Sequence, residues 1–487
     1  MSVLDLIGDD DEQPAEVGKR SQADRLVDLA RERYDLGITA TGDAFGVTRS
    51  GPRIARMLRG GSQSLRAELA HAFFLQYRKT PSSTALTDTI LTLQGFASLE
   101  EPVDVFLRQA SVDGALWIDL GDNAGTSVRI DPAGWTLEPG APCIFRRSEL
   151  TGTMPAPQHG DLSELRRFLN VTDESWALVA GWLVSACFPS IPHPAMLLTG
   201  EQGSAKSSTG RFLVSVLDPS PAPLRTAPRD VGEWVTVADG SCVVGLDNLS
   251  GLPGWLSDAM CRAVTGDGLP RRRLYSDGEL VVTAFRKLLL LTGIDLGALS
   301  ADLIDRALFV ELERIAPESR RLDSELAADF ADAHPRILGG LFDLVSATMR
   351  EIPNASLAEY PRMADHARVL RALDLATDGD HLEAYIAASD RAMLDAADGS
   401  PVAEAVIAFM RDRDSWQGGA SDLLEAITPH DPPKRWPATA HHLSGQLRRL
   451  APVLRARGIT VDHVRAHTGR MLVLGVTHDA GDACFHF

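Results

Sequence analysis

The stretch Met196-Leu197-Leu198-Thr199-Gly200-Glu201-Gln202-Gly203-Ser204-Ala205-Lys206-Ser207-Ser208 decides the fold of this chain. An apolar run ends at a glycine-containing turn with Lys-Ser, and apolar residues then recur at helical spacing at Phe212, Leu213 and Val216. This order of strand, loop and helix is typical of a P-loop, in which backbone N–H groups and a helix N-terminus hold phosphates. The alternative is an ordinary Gly/Ser-rich turn.

The loop chemistry predicts binding of ATP with Mg²⁺. Lys206 can reach the β- and γ-phosphates, and Ser207 can bind Mg²⁺. The residue before the lysine is usually glycine in such loops and is Ala205 here, which removes some backbone freedom. The predicted nucleotide-binding residues are Gly200, Glu201, Gln202, Gly203, Ser204, Ala205, Lys206, Ser207 and Ser208.

Two further apolar runs end in polar residues. The run 242–246 ends at Asp247, a candidate Mg²⁺ ligand, although strands also commonly stop at Asp-Asn turns. Asn248 follows where many such ATPases place a glutamate, and asparagine can orient water but cannot take its proton. The run 288–291 leads to Thr292 and Asp295, either of which can sense the γ-phosphate if this is not simply a buried strand.

Arg306 precedes the next apolar run, Leu308-Phe309-Val310. Its guanidinium can stabilise transition-state charge on the nucleotide of a neighbouring subunit. The alternative is an ion pair within the chain, with Asp302 or Asp305.

Length and composition limit the class of protein. A chain of 487 residues is too long for one domain, and 44% apolar with 23% charged residues is typical of folded proteins. Five scattered cysteines argue against zinc ribbons and disulfide frameworks, and the acidic N-terminus lacks an export signal, so we expect a cytoplasmic protein. The longest apolar stretch, about twelve residues from Trp176, is too short to cross a membrane. A net charge of −18 argues against a uniformly basic DNA-coating protein.

These features resemble the superfamily 3 helicase-type replication ATPases of phages, prophages and integrative elements. The resemblance covers about residues 20–475 and is carried by the ordered motifs above with the strings Asp247-Asn248-Leu249-Ser250-Gly251, Pro253-x-Trp255-Leu256-Ser257-Asp258-Ala259, and Trp436-Pro437 to Arg457-Gly458-Ile459. It implies an AAA+-type fold, rings of six subunits, and basic hairpins that line a DNA channel. Arg271, Arg272, Arg273 and Lys287 occupy the corresponding interval, where the alternative is a solvated charged surface.

The C-terminal segment reverses the charge of the chain. Between Pro432 and Leu474, eight Lys or Arg residues accompany one acid, Asp462. Helical spacing over Thr439–Arg457 followed by two short β-runs suggests a winged helix, whose predicted phosphate contacts are Arg448, Arg449, Arg465 and Arg470. The alternative is a helical cap whose arginines pair with the acidic body.

The predicted architecture is therefore multidomain α/β. It has a central P-loop AAA+-type ATPase domain, an α+β N-terminal domain with a small β-meander, and a C-terminal winged helix. The expected boundaries are a disordered acidic tail at 1–20, a helical and β-meander domain at 21–150, the ATPase domain at 158–315, a helical lid at 316–398 and a winged-helix-like DNA-binding domain at 401–480.

Three functions remain open on the sequence. The first is an ATP-dependent DNA helicase or replication initiator of a mobile element, with DNA and further copies of the chain as partners. The second is a non-motor ATP switch, such as a helicase loader or defence NTPase, which Asn248 favours. The third is a small-molecule kinase. The nearest string to a primase metal site, Asp119-Leu120-Gly121-Asp122, is typical of a turn, which leaves a separate primase as a partner.

Overall fold

A computed structural model describes residues 20–59, 64–272, 280–284, 286–293, 299–398, 400–433, 436–466 and 469–477. The expected tail up to residue 19, Arg273 and Asp295 lie outside these residues. The α-helices in this part of the chain are α1 (Gln22–Arg33), α2 (Leu65–Tyr77), α3 (Ser83–Ala97), α4 (Asp173–Ala186), α5 (Lys206–Leu217), α6 (Val231–Asp239), α7 (Gly254–Thr265), α8 (Ala301–Ile304), α9 (Asp323–Glu351), α10 (Ala364–Thr377), α11 (His381–Asp398), α12 (Pro401–Met410), α13 (Ala420–Ile427) and α14 (Ala440–Ala456).

The β-strands of the described residues form five sheets. In chain order they are β1 (Tyr34–Thr39), β2 (Ala44–Thr48), β3 (Ile54–Met57), β4 (Pro102–Val103), β5 (Val105–Phe106), β6 (Gln109–Val112), β7 (Ala115–Asp119), β8 (Ser127–Asp131), β9 (Gly134–Glu138), β10 (Ile144–Arg146), β11 (Ala195–Thr199), β12 (Leu224–Arg225), β13 (Val243–Leu246), β14 (Gly268–Arg272), β15 (Leu280–Ala284), β16 (Leu288–Thr292), β17 (Ala307–Glu311), β18 (Ser415–Gly418), β19 (Ile459–Ala466) and β20 (Gly469–Val476).

The chain divides into two compact units. The first runs to Val105 and also takes residues 144–146, and the second holds the remainder. In the first unit, α1 begins at a capping box in which Ser21 and Asp24 bond each other's backbone N–H groups. The apolar faces of α1, α2 and α3 pack together, with Leu26, Leu69 and Leu93 fully buried.

The second unit contains the predicted β-meander, β6 to β9, as an antiparallel sheet in sequential order. Its inward side chains, such as Ile118 and Val128, share a core with Leu341 of α9. The strand β10 follows the meander in sequence but does not join its sheet; it pairs with β3 in the first unit. The boundary between the units therefore differs from the one expected near residue 150. The meander belongs to the second unit because its apolar face packs into the core of that unit.

The centre of the second unit is a five-stranded sheet in the order β12-β13-β16-β11-β17, and every described pairing in it is parallel. The strands β11, β13 and β16 are continuous apolar runs and are buried on both faces, as a parallel sheet covered by helices requires. The parallel sheet predicted from these three runs is confirmed. Because β16 lies between β11 and β13, the residues that follow these strands meet at one edge of the sheet.

The helices α9, α10 and α11 follow the sheet and occupy most of the segment expected to be helical, 316–398. The helix α4, which contains most of the apolar stretch from Trp176, is largely buried in the core of this unit. Among the described residues, no helix has both the length and the apolar character needed to span a bilayer.

The C-terminal segment has the element order α12-β18-α13-α14-β19-β20, with strands in the order β18-β20-β19. The predicted helix and hairpin are confirmed: Thr439 caps α14, and β19 pairs antiparallel with β20. Leu443, Leu447 and Leu454 of α14 are fully buried in a core of their own with residues of α12, α13 and the hairpin.

Candidate nucleotide site

The phosphate loop connects the end of β11 to the first turn of α5. Gly200 has φ +137°, and a Cβ there would lie 2.5 Å from the carbonyl oxygen of Leu312, so only glycine allows this approach. Leu312 is held beside the loop by its N–H, which donates to the Thr199 carbonyl at 2.9 Å. The loop therefore has a backbone shape set by the segment that follows β17.

Ala205 occupies the position that is usually glycine, with φ +62° and ψ +30°. A left-handed conformation costs an alanine about 1 kcal/mol. The loop keeps it because Lys206 Nζ donates to the carbonyl oxygens of Gly200 and Glu201, both at 2.8 Å, and Thr209 N–H bonds the Ala205 carbonyl. An alanine at position 205, in place of the usual glycine, is thus compatible with a closed loop but introduces local backbone strain.

Three residues predicted separately from sequence meet beside this loop. Ser207 Oγ donates to Asp247 Oδ1 at 2.8 Å, and Thr292 Oγ1 donates to the same oxygen at 2.5 Å. The Asn248 N–H donates to Thr292 Oγ1 at 3.0 Å. The ends of β13 and β16 are therefore joined to the first turn of α5 through one carboxylate oxygen.

Oxygen ligands of this kind suit Mg²⁺, which prefers carboxylate and hydroxyl groups together with phosphate oxygens. Ser207 Oγ and Asp247 Oδ1 lie close enough to share one ion. Asn248 has φ +54° and an exposed side chain. Its carboxamide can position water but cannot accept a proton from it.

Arg306 makes a contact within the chain. Its side chain is 10% exposed, and Nη1 donates to the Asp302 carbonyl at 2.9 Å and pairs with the Asp302 carboxylate. Burial of the Asp302 carboxylate acts to raise its pKa, but hydrogen bonds from Arg306 and Cys261 together with the charges of Arg306 and Arg362 outweigh burial and hold this pKa below its usual range. Of the two predicted alternatives, this conformation corresponds to the intrachain pair with Asp302.

The described residues among the predicted DNA contacts lie in different elements of the chain. Lys287 is 6% exposed and its Nζ donates to the Ser241 carbonyl at 2.9 Å, so its ammonium is bonded inside the protein in this conformation, and its contact with DNA stays a prediction. Arg271 and Arg272 lie in β14, and Arg465 pairs across the hairpin with Arg470, but the side chains of all four are outside the described structure.

Arg448 and Arg449 are exposed on α14. One other arginine, at the end of this helix, contacts α11 instead. Arg457 Nη2 donates to the Leu394 carbonyl of α11 at 3.4 Å, and Val453 packs into a cluster with Ile304 of α8. The basic segment thus combines an exposed surface with the cap-like packing of the alternative prediction.

Sequence reasoning missed two arginines that the structure places in specific contacts. Arg108 is 2% exposed and pairs with Asp218 at 3.0 Å, and Asp218 in turn accepts the N–H groups of Cys242 and Val243 at the start of β13. Arg320 Nη2 lies 3.5 Å from the place where a Cβ on Gly203 would be. No local pattern distinguishes these arginines from surface ones, since both contacts are distant in sequence.

The string Asp119-Leu120-Gly121-Asp122, predicted to be a turn, begins at the last residue of β7 and continues into the connection to β8. Asp119 is buried, bonds the Gly121 N–H at 3.1 Å and is paired with Arg147. Asp122 accepts the Thr126 N–H at 2.9 Å. Both carboxylates are therefore used in holding the turn.

The segment that carries this site matches a family of known proteins. Residues 161–396 match the actinomycete integrative conjugative element replication protein, AICE RepA, and residues 402–480 match the AICE RepA C-terminal domain. Together the two ranges cover about two thirds of the chain. The chain belongs to this family. The resemblance to replication proteins of integrative elements is confirmed, and the joint expected at 398–401 falls between the matched ranges.

No curated protein matches this AICE RepA family member. Among solved structures, it is similar to the apo C-terminal region of NrS-1, with 11% identity and a TM-score of 0.40 over 94% of this chain and 100% of that one. It is also similar to the structure named SCCmec type IV Cch, active helicase, with 11% identity and a TM-score of 0.42 over 91% of this chain and 93% of that one.

Proposed function

We propose that this replication protein is an ATP-dependent DNA helicase or initiator ATPase that acts on DNA as an oligomeric ring. The observation that carries the ATPase part is the convergence of Ser207, Asp247 and Thr292 beside the phosphate loop. A loop alone supports nucleotide binding, whereas a carboxylate fixed at the metal-binding position supports hydrolysis. The strand order, with β16 between β11 and β13, supports an AAA+-type core.

In this proposal the loop N–H groups and Lys206 bind the phosphates of ATP. Lys206 Nζ would exchange its bonds to the Gly200 and Glu201 carbonyls for phosphate oxygens. Ser207 and Asp247 would hold Mg²⁺, whose charge offsets that of the β- and γ-phosphates. Thr292 keeps the Asp247 carboxylate oriented, and Asn248 lies where it can position the attacking water.

The DNA part rests on the C-terminal segment. The element order α12-β18-α13-α14-β19-β20 supports a winged helix with β19 and β20 as its wing. Exposed Arg448 and Arg449 on α14 would meet phosphates and fix the orientation of the duplex. The hexameric ring is what the resemblance to superfamily 3 ATPases implies. A separate primase is proposed because Asp119 and Asp122 are bonded within the chain rather than arranged as a metal site.

The deciding experiment compares wild-type protein with Lys206→Ala in ATP hydrolysis, with and without DNA. We expect DNA-stimulated hydrolysis in the wild type and a loss of about 100-fold or more in the variant, because the contact to the terminal phosphate disappears. Arg211→Ala is the matched control, since Arg211 is an exposed cation on the same helix. Hydrolysis that is indifferent to both DNA and Lys206 would refute the proposal.

A second function is favoured by one observation, the asparagine at position 248. Without a carboxylate there, the protein can serve as a non-motor switch, such as a helicase loader, that changes partners with its nucleotide state. Strand displacement on a forked duplex distinguishes the two functions. Unwinding that depends on ATP excludes the switch, and nucleotide-dependent DNA binding without unwinding favours it.

A further inference from the structure

The segment between β17 and α9 runs past the phosphate loop. Leu312 is bonded to Thr199, and its carbonyl lies against Gly200. A short 3-10 helix at Pro317–Ser319 follows, and α9 begins at Asp323. Arg320 therefore lies between an anchored strand end and a long helix.

Arg320 reaches the exposed tip of the phosphate loop. Its Nη2 lies 3.5 Å from the Cβ position of Gly203, which has φ +88° and is exposed. Arg320 itself is exposed, and within the described residues it has no hydrogen bond or ion pair. The adjacent Arg321 is held away from the loop, since its Nη2 pairs with Asp329 at 2.5 Å.

Two other described cations have partners within the chain. Lys206 bonds two loop carbonyls, which phosphate oxygens would replace in the proposed ATPase, and Arg306 is buried against Asp302. A triphosphate on the loop carries more negative charge than one lysine offsets, and a guanidinium is the side chain best shaped to bind phosphate oxygens in pairs.

We propose that Arg320 binds the terminal phosphate of ATP held by the phosphate loop of the same subunit. This inference rests on the proposed ATPase function. Arg320 precedes the first residue of α9 by three positions, so the contact would tie the start of that helix to the loop only when a γ-phosphate is present. After hydrolysis and phosphate release the tie is lost, which links α9 to the nucleotide state.

The test measures the affinity of the full chain for fluorescent mant-ATP and mant-ADP in the presence of Mg²⁺. In Arg320→Ala we expect the Kd for ATP to rise about tenfold or more, with a much smaller change for ADP. Arg320→Lys should recover part of the affinity for ATP. Arg321→Ala is the matched control and should bind both nucleotides as the wild type does, since its guanidinium faces Asp329.

Two results overturn the inference. One is an Arg320→Ala protein that binds ATP as tightly as the wild type. The other is an equal loss of ATP and ADP affinity, whether or not the melting temperature also falls, since that effect does not depend on the γ-phosphate. Lys206→Ala separates the two proposals. If the wild type binds no ATP, the proposed function fails; if the wild type binds ATP, Lys206→Ala does not and Arg320→Ala does, only the role of Arg320 fails.

Discussion

The phosphate loop and the helix α14 both offer positive charge to a polyanion, but they hold it differently. Lys206 is fixed by two carbonyl oxygens at 2.8 Å, on a loop whose backbone is shaped by the Leu312 carbonyl. On α14, Arg449 has one long bond to the Gly445 carbonyl at 3.4 Å, and Arg448 has none to any described residue. The loop therefore presents one preorganised cation, and α14 presents exposed cations with few contacts.

This difference implies two kinds of recognition. A cation held at a fixed position selects a ligand by geometry, and its loss removes a contact that nothing else replaces. Exposed arginines with few contacts attract phosphates through long-range charge. Salt screens this attraction, and neighbouring cations partly replace an arginine that is lost. We therefore expect large effects of single substitutions at the loop and small, salt-dependent effects on α14.

The largest expected effect among the remaining substitutions is that of Asp247→Asn. The amide keeps the shape of the side chain but lowers its charge, so the Mg²⁺ position beside Ser207 is weakened. We expect the rate of hydrolysis at 1 mM Mg²⁺ to fall about 100-fold, as is typical when an electrostatic contact to the transition state is lost. The measurement is a steady-state ATPase assay over a range of Mg²⁺ concentrations.

The Mg²⁺ dependence gives the control for that substitution. If Asp247 binds the ion, the variant needs more Mg²⁺ for half of its maximal rate. Glu313→Gln, at an exposed position after β17, should need the same amount as the wild type. An unchanged Mg²⁺ requirement in Asp247→Asn would contradict the assignment of Asp247 as a Mg²⁺ ligand. The expected contrast, with geometric selection at the phosphate loop and not at α14, would then be weakened.

The strands around the nucleotide site could be predicted because each is a continuous apolar run followed by polar residues, as at Asp247 and Thr292. Their lateral order could not, since pairing between β11 and β16 joins residues about ninety positions apart. The same limit explains Lys287. A lysine that precedes an apolar run is expected at the surface from its local sequence. Its burial becomes visible only once β13 and β16 are paired in the folded protein.

The run at 143–145 illustrates the problem for sheet membership. It has the composition of the meander strands before it, but β10 pairs with β3, where Phe145 lies opposite Ile54. Nothing local specifies that partner. Conversely, α14 and its hairpin were predictable because their helical spacing and their turn are local features.

We expect an intermediate effect on the unfolding free energy when the buried pair of Arg108 and Asp218 is broken. Arg108→Met leaves the Asp218 carboxylate buried without its ion-pair partner, and Asp218 holds the N–H groups at the start of β13. Removing one partner of a buried pair costs about 3 kcal/mol of unfolding free energy. Urea unfolding followed by tryptophan fluorescence measures this loss.

The matched control for Arg108 is an exposed pair in the same unit. Arg391 and Glu174 pair at 2.9 Å with side chains 61% and 50% exposed. Arg391→Ala should lower the unfolding free energy by less than about 1 kcal/mol. Equal losses in the two variants would show that burial does not set the contribution of these ion pairs.

The smallest expected effect is on DNA binding by α14. Substituting Arg448 and Arg449 together by alanine should weaken binding to duplexes of different sequence alike, because these cations meet phosphates rather than bases. If each arginine neutralises one phosphate, the slope of log K against log salt becomes shallower by about 2. Fluorescence anisotropy between 50 and 200 mM salt, repeated on two unrelated duplexes, measures the slope.

Lys287→Met provides the contrast that decides between position and charge. The substitution removes one positive charge from the same chain, but the Lys287 ammonium is buried against the Ser241 carbonyl, so we expect the salt slope to stay unchanged at temperatures where the variant is folded. If Lys287→Met makes the salt slope shallower by as much as the loss of one arginine on α14 does, the buried lysine must reach DNA in another conformation. The contact surface would then include the interval between β13 and β16, where the resemblance to ring helicases originally suggested it.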